Sequence, residues 1–168
     1  MPTEAAEHDT VCIFFGPPKE PSQDAEAFSR FFAEKGLHVV CGGTSARLAA
    51  AFLGTQVKAS LSFPPDGLPP VGSIEGADLV TEGILTMNRV LELLAESSNP
   101  IKDLDSGAEK LFSLLCQAEK VHFYVGLAEN PAHQDKSLSI PCRDKEKLVK
   151  EIANRLSSLG IETEISVF

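Results

Sequence analysis

Three short apolar runs constrain this chain more than any other feature. They are Val11-Cys12-Ile13-Phe14-Phe15, Leu37 to Cys41, and Val121 to Val125, with His38 and His122 set inside the second and third. A strand that is apolar on both sides must be covered on both sides. That is the condition of a central strand in a parallel sheet with helices on each face.

Between these runs the apolar spacing becomes helical. Ala25, Phe28, Phe31 and Phe32 follow a cap at Ser22 and stop at Gly36, and Leu48, Ala49, Phe52 and Leu53 run to Gly54. Met87, Val90, Leu91, Leu94 and Ala95 mark a third helix ending before Pro100. Ser106 and Glu109 have capping-box spacing for a fourth, with Ala108, Leu111, Phe112, Leu115 and Cys116 as its stripe. Leu148, Ile152, Leu156 and Leu159 form the last, closed by Gly160.

The remaining strands differ in character. Gln56 to Phe63 and Ile161 to Val167 alternate apolar and polar residues, which suits the sheet edges, and Ala77 to Val80 is a short fourth strand. Phe63 to Gly76 is rich in Pro and Gly and must cross the sheet without a helix, so an antiparallel third strand is the alternative. The pattern predicts a three-layer, Rossmann-like α/β sandwich on a mostly parallel, doubly wound sheet of about six strands. Its expected order is 3-2-1-4-5-6. Residues 1–9 read as a loose polar tail, and 10–168 as one domain.

Composition excludes several function classes. With 168 residues and 43% hydrophobic content the chain can bury a core without a staple. The net charge of −9 argues against nucleic acid and against acidic partners. The densest basic group, Arg143, Lys145, Lys147 and Lys150, is interleaved with Asp144, Glu146 and Glu151 and reads as a solvated helix face. Cys12, Cys41, Cys116 and Cys142 form no C-x-x-C pair, so a reduced, cytoplasmic chain with buried thiols is expected. No run is long enough for a membrane span, and no secretory leader is visible.

In such a sheet the loops after the strands emerge at one edge, and ligands bind where the strand order reverses. The predicted reversal lies between the first and fourth strands. Gly16-Pro17-Pro18 and Thr81-Glu82-Gly83 meet there, flanked by Gly42-Gly43-Thr44-Ser45 and by the loop Gly126 to Arg143 with Asn130, His133 and Gln134.

Gly42 and Gly43 let the backbone approach a ligand, Thr44 and Ser45 offer hydroxyls, and the helix behind them favours an anion. A plain strand-to-helix turn with Thr44 as its cap is the competing reading. Glu75, Asp78 and Glu82 form an acidic cluster able to hold hydroxyls or Mg²⁺, or, more simply, to tie backbone at the strand ends. Histidine is the side chain whose ordinary pKa lies near neutrality, so His133, with Glu82, is the candidate acid–base pair. Cys41 is a conceivable nucleophile, or a small buried hydrophobe. His38 and His122 read as satisfied core residues, and His8 falls in the tail. The sequence names no cofactor and no metal.

These blocks also resemble a known family. Gly16-Pro17-Pro18, Val39-Val40-Cys41-Gly42-Gly43-Thr44, Ile74-Glu75-Gly76-Ala77-Asp78-Leu79-Val80-Thr81-Glu82-Gly83 and Asn130-Pro131-Ala132-His133-Gln134 follow one another in this order. So arranged, the chain resembles the C-terminal region of sporulation stage II protein E-type serine/threonine phosphatases of anaerobic bacteria. The resemblance implies a module appended to a phosphatase domain and does not carry phosphatase activity with it. The metal-binding aspartates of that activity stand in Asp-Gly and Gly-Asp-Asp contexts, and here the only Asp-Gly is Asp66-Gly67 in a Pro-rich loop. The chain also departs from the family at Leu127, where an Arg is expected.

The first functional expectation is therefore a regulatory domain for a small ligand, such as a nucleotide or phosphorylated metabolite. The alternatives are an enzyme using His133 and Glu82, and a protein–protein module docking through the final strand and Phe168. Oligomerisation is left open.

Overall fold

A computed structural model describes residues 10–56, 58–59, 72–81, 83–96, 107–127 and 145–168. Five helices and seven strands are found among them. In chain order these are β1 (Thr10–Phe15), α1 (Asp24–Ala33), β2 (Leu37–Cys41), α2 (Gly43–Leu53), β3 (Lys58–Ala59), β4 (Gly72–Ser73) and β5 (Leu79–Thr81). There follow α3 (Ile84–Glu96), α4 (Gly107–Gln117), β6 (Lys120–Val125), α5 (Lys145–Ser158) and β7 (Glu162–Val167). No helix of the described residues is long and apolar enough to cross a membrane.

The sheet order is β3-β4-β5-β2-β1-β6-β7. The five strands β5, β2, β1, β6 and β7 are parallel, while β4 runs antiparallel to both β3 and β5. Counting only the parallel strands, the order is 3-2-1-4-5, which is the doubly wound, Rossmann-like arrangement.

One part of the predicted order is corrected. The strand at 79–81 lies beside β2 and not beside β1, whose second neighbour is β6. The reversal therefore falls between β1 and β6. The cause is the stretch after α2. The chain makes an antiparallel pair, β3 with β4, at the sheet's edge and returns to complete a β2–α2–β5 unit. The strand out of direction with the rest is β4, which the sequence pattern did not announce.

β1 shows why both faces are covered. Val11, Ile13 and Phe15 join a core with Met87, Val90, Leu111, Leu115, Leu148, Ile152 and Leu156 from α3, α4 and α5. Cys12 and Phe14 join the opposite core with Phe28 and Phe31 of α1 and Ala46, Ala49 and Ala50 of α2. The small residues on α2 let that helix lie close to the sheet, and aromatic rings fill the space under α1. Phe14 stacks on Phe28 with centroids 4.2 Å apart and meets Phe31 edge-on at 5.4 Å.

Two helix starts differ from expectation. α1 opens at Asp24 after a 3₁₀ turn, Pro21–Gln23, and its cap position is Gln23 and not Ser22. α2 opens at Gly43, so Gly42, and not Thr44, is the cap.

Truncating Phe14 to Ala, a fully buried residue, is expected to cost about 3–5 kcal/mol in urea unfolding. Phe52 is 42% exposed, although its ring lies 6.0 Å from that of Phe28, and its truncation should cost about 1 kcal/mol or less. Equal costs would contradict this placement of α1 and α2.

Candidate functional site

The carboxyl edge of the sheet is built from the turns after β1, β2, β5 and β6. At the reversal between β1 and β6, backbone fills the crevice. Gly126 donates its N–H to Phe15 O at 3.1 Å, and Leu127 and Lys19 both donate to Phe168 O, at 3.0 and 3.2 Å. A Cβ on Gly126 would overlap the backbone of Gly16 and Pro17, and the Lys145 ammonium group lies over Gly16. Gly16 and Pro17 are thus part of a closed backbone clamp.

The open feature is the start of α2. Gly42 has a φ of +117° and donates its N–H to Thr81 O at 2.9 Å, while its own carbonyl accepts the first helical bond, from Ala46 N at 2.8 Å. A Cβ on Gly83 would sit 3.2 Å from Gly42 Cα, so the two turns cross at glycine-to-glycine distance. No side chain caps the helix. Gly43 is exposed, Thr44 half-buried and Ser45 buried, with Arg47 exposed one turn further on. The Ser45 hydroxyl is buried without a hydrogen-bond partner among the described residues, 3.5 Å from the position a Cβ would take on Gly42. Thr81 is buried where β5 ends. Gly42, Gly43, Thr44, Ser45 and Thr81 are therefore brought together.

Other predicted residues are not. Asp78 accepts a 2.7 Å hydrogen bond from the backbone N–H of His38 and donates its own to His38 O at 2.8 Å. These bonds tie the beginnings of β2 and β5, at the amino edge, about 10 Å from Thr81 along the strand. Glu75 is exposed in a turn at that same edge, since its neighbour Gly76 faces Leu53 at the far end of α2. Asp78 therefore ties backbone at the amino edge, its simpler reading. Glu82, Asn130, His133 and Gln134 lie outside the described residues, as does Cys142. Cys41 is fully buried in the core, which leaves no route for a thiol nucleophile.

Sequence reasoning missed a second polar constellation, on the α1 face of the sheet. Register aligns Cys12, His122 and Glu164 in one row across β1, β6 and β7. Glu34, at the carboxyl end of α1, comes down over it. Its Oε1 accepts 2.5 Å from the Tyr124 hydroxyl and lies 2.7 Å from His122 Nδ1. Glu164 Oε2 is 3.0 Å from the same nitrogen, and His122 Nε2 is 2.8 Å from Ser166 Oγ.

Burial alone would raise the Glu34 carboxyl. The hydrogen bond from Tyr124, and then the His122 ring, outweigh it and hold the carboxyl below its ordinary 4.5. Burial first, and then Glu34, push the Cys12 thiol up to about 12 and the Tyr124 hydroxyl upward as well. Both stay protonated as donors. The available signal was the alternation Lys120, His122, Tyr124 against Val121, Phe123, Val125, which gives β6 one polar-capable face.

Phe168 belongs to this region, while β7 is an outer strand of the sheet, paired with β6. The Phe168 ring lies parallel to that of Tyr124 at 6.2 Å, with the Arg30 guanidinium 5.4 Å from its centroid. At the amino edge a cleft of about 650 Å³ is lined by Leu94, Phe112, Cys116, Glu119, Leu159 and Ile161. It offers one carboxylate and one thiol among apolar walls, and none of the predicted residues.

No family model matches the chain, and no curated protein matches it. Among solved structures it overlaps shikimate 5-dehydrogenase from Listeria monocytogenes in complex with shikimate and NAD, at 9% identity and a TM-score of 0.24. The overlap covers 95% of this chain and spans 61% of that protein's length. A likeness of that degree carries no argument about function.

The sign of the Glu34 effect is testable. Its pKa is lowered on folding, so its stabilisation is present above 4.5 and is lost as pH falls through the folded value. Glu34→Gln should destabilise by about 1.5–3 kcal/mol at pH 7, the range for hydrogen bonds to a charged group. The gap to wild type should narrow below pH 4.5 in urea titrations. A gap constant across that range would show that the charge is irrelevant.

Proposed function

We propose that the chain is a small-ligand-binding domain and that the start of α2 holds an anionic group, such as the phosphate of a nucleotide or phosphorylated metabolite. The observation that carries this reading is Ser45. An unpaired buried hydroxyl costs about 1–3 kcal/mol, and such groups are rare in native proteins. Here the hydroxyl sits in the first turn of an 11-residue helix capped only by glycine.

The N–H groups of Gly43, Thr44 and Ser45 precede the first helical bond, and a helix start in this state favours negative charge. Gly42 and Gly83 keep side chains out of the way where β2 and β5 end. Each part suits an oxyanion: backbone donors, the Thr44 and Ser45 hydroxyls, and Arg47 nearby for charge. The finer reading, a regulatory module that signals ligand occupancy to a phosphatase domain, rests on the sequence resemblance alone.

A thermal-shift panel of inorganic phosphate, nucleotides and sugar phosphates tests the site. At a hundredfold excess over Kd a true ligand stabilises by about 2.7 kcal/mol. Ser45→Ala should leave the unliganded protein as stable as wild type or slightly more so, because it removes an unpaired group. The same variant should weaken the ligand-induced shift. A shift identical in wild type and variant, or no shift with any anion in the panel, would remove the assignment.

A further inference from the structure

We propose that Glu34, His122 and Glu164 bind one divalent transition-metal ion of the zinc class, open to solvent on the Glu164 side. The site is separate from the start of α2 and does not depend on the ligand reading above.

Geometry comes first. The three donor atoms, one ring nitrogen and two carboxylate oxygens, lie within 4.8 Å of one another. Zn–N and Zn–O bonds of about 2.0–2.2 Å at tetrahedral angles place neighbouring ligands about 3.3–3.5 Å apart. The distances here are 2.7 and 3.0 Å from His122 Nδ1 to the two oxygens. A small outward adjustment of two Glu side chains, one of them more than half exposed, makes room for an ion.

Hydrogen bonding points the same way. His122 Nε2 is engaged by Ser166 Oγ at 2.8 Å. With the proton on that nitrogen, the Nδ1 lone pair faces two carboxylate oxygens, an arrangement that a bound cation, or a second proton on the ring, makes favourable. Metal-ligating histidines characteristically have their other ring nitrogen fixed by an outer partner, and ligating carboxylates are themselves hydrogen-bonded. Ser166 stands in the first position. Tyr124 and the Cys12 thiol, both donating to Glu34, stand in the second.

Two carboxylates face one imidazole here. Glu34 occupies the cap at the carboxyl end of α1, where an anion opposes the helix dipole and gains nothing from it. Glu164 adds a second carboxylate. The cation paired with it, Lys120, is 3.8 Å from both Glu164 and Glu162, whose side chains are more than half exposed. Such surface pairs contribute little.

Burial grades from His122 at 7% through Glu34 at 22% to Glu164 at 54%, so the ion would have a closed inner wall and an outer approach. Three protein ligands leave a position for water or another small ligand. One imidazole with two carboxylates suits Zn²⁺, Co²⁺ or Mn²⁺ over Ca²⁺ and Mg²⁺, which take oxygen shells.

The test is titration of the full chain, stripped with chelator, by Zn²⁺ in calorimetry and by Co²⁺ in visible absorption. The expected result is one saturable equivalent, with cobalt d–d bands and no thiolate charge-transfer band. Glu164→Gln should raise Kd at least tenfold and His122→Gln should abolish this equivalent, while Glu162→Gln and Glu75→Gln titrate as wild type. If His122→Gln does not fold by circular dichroism, Glu164→Gln decides, because its side chain is more than half exposed. No saturable equivalent in wild type, a thiolate band, or a less than tenfold change in Glu164→Gln would overturn the proposal.

Discussion

Burial of β1 on both faces organises the rest of this structure. Val11, Ile13 and Phe15 need one helical layer, Cys12 and Phe14 need another, and neither layer alone would satisfy the strand. Once both are present, β2 and β6 must flank β1 so that its backbone groups are paired away from water. The parallel direction then follows from the helical connections, and with it the gathering of turns at one edge. The closeness of Gly126 to Gly16 and Pro17, and of Gly83 to Gly42, results from this packing. Strands 4.8 Å apart end in turns with little room for side chains.

The same arrangement explains why polar groups on the α1 face are tolerated. The row Cys12–His122–Glu164 runs outward from the central strand to an outer one, so desolvation falls along it. At the inner end only a neutral thiol is present. In the middle the imidazole has partners on both nitrogens, and at the outer end a carboxylate meets water. Glu34 is the exception, because α1 delivers a carboxylate over the covered side of the row. Its hydrogen bonds from Tyr124 and contact with His122 offset that placement. Charge neutralisation by a bound cation is the further step inferred from the imbalance that is left.

Much of the fold was legible because covered strands and amphipathic helices differ in period, and each element could be read from a dozen residues. The neighbours of β5 were not. Thr81 and Val80 pair with Cys41 and Val40, a partnership set by where the chain re-enters the sheet after β3 and β4. Local pattern leaves Asp78 open between ligand chemistry and a backbone tie, because its position relative to the sheet edges depends on that pairing. His122 was read as a core residue because, taken in sequence, one imidazole inside an apolar run needs only a local hydrogen bond.

The sequence by itself determined the covered strands β1, β2 and β6 and the five amphipathic helices, since these depend on neighbours within a turn or a pleat. It also determined that Gly42-Gly43-Thr44-Ser45 joins a strand to a helix. Only the tertiary structure decided that the cap is Gly42, that Ser45 is buried without a partner among the described residues, and that the β1–β6 crevice is filled by backbone. It alone brought Glu34 to His122, 88 positions away, and set both beside Glu164. Register and crossover connections act between residues distant along the chain, and local periodicity contains no information about which distant residues will share a row.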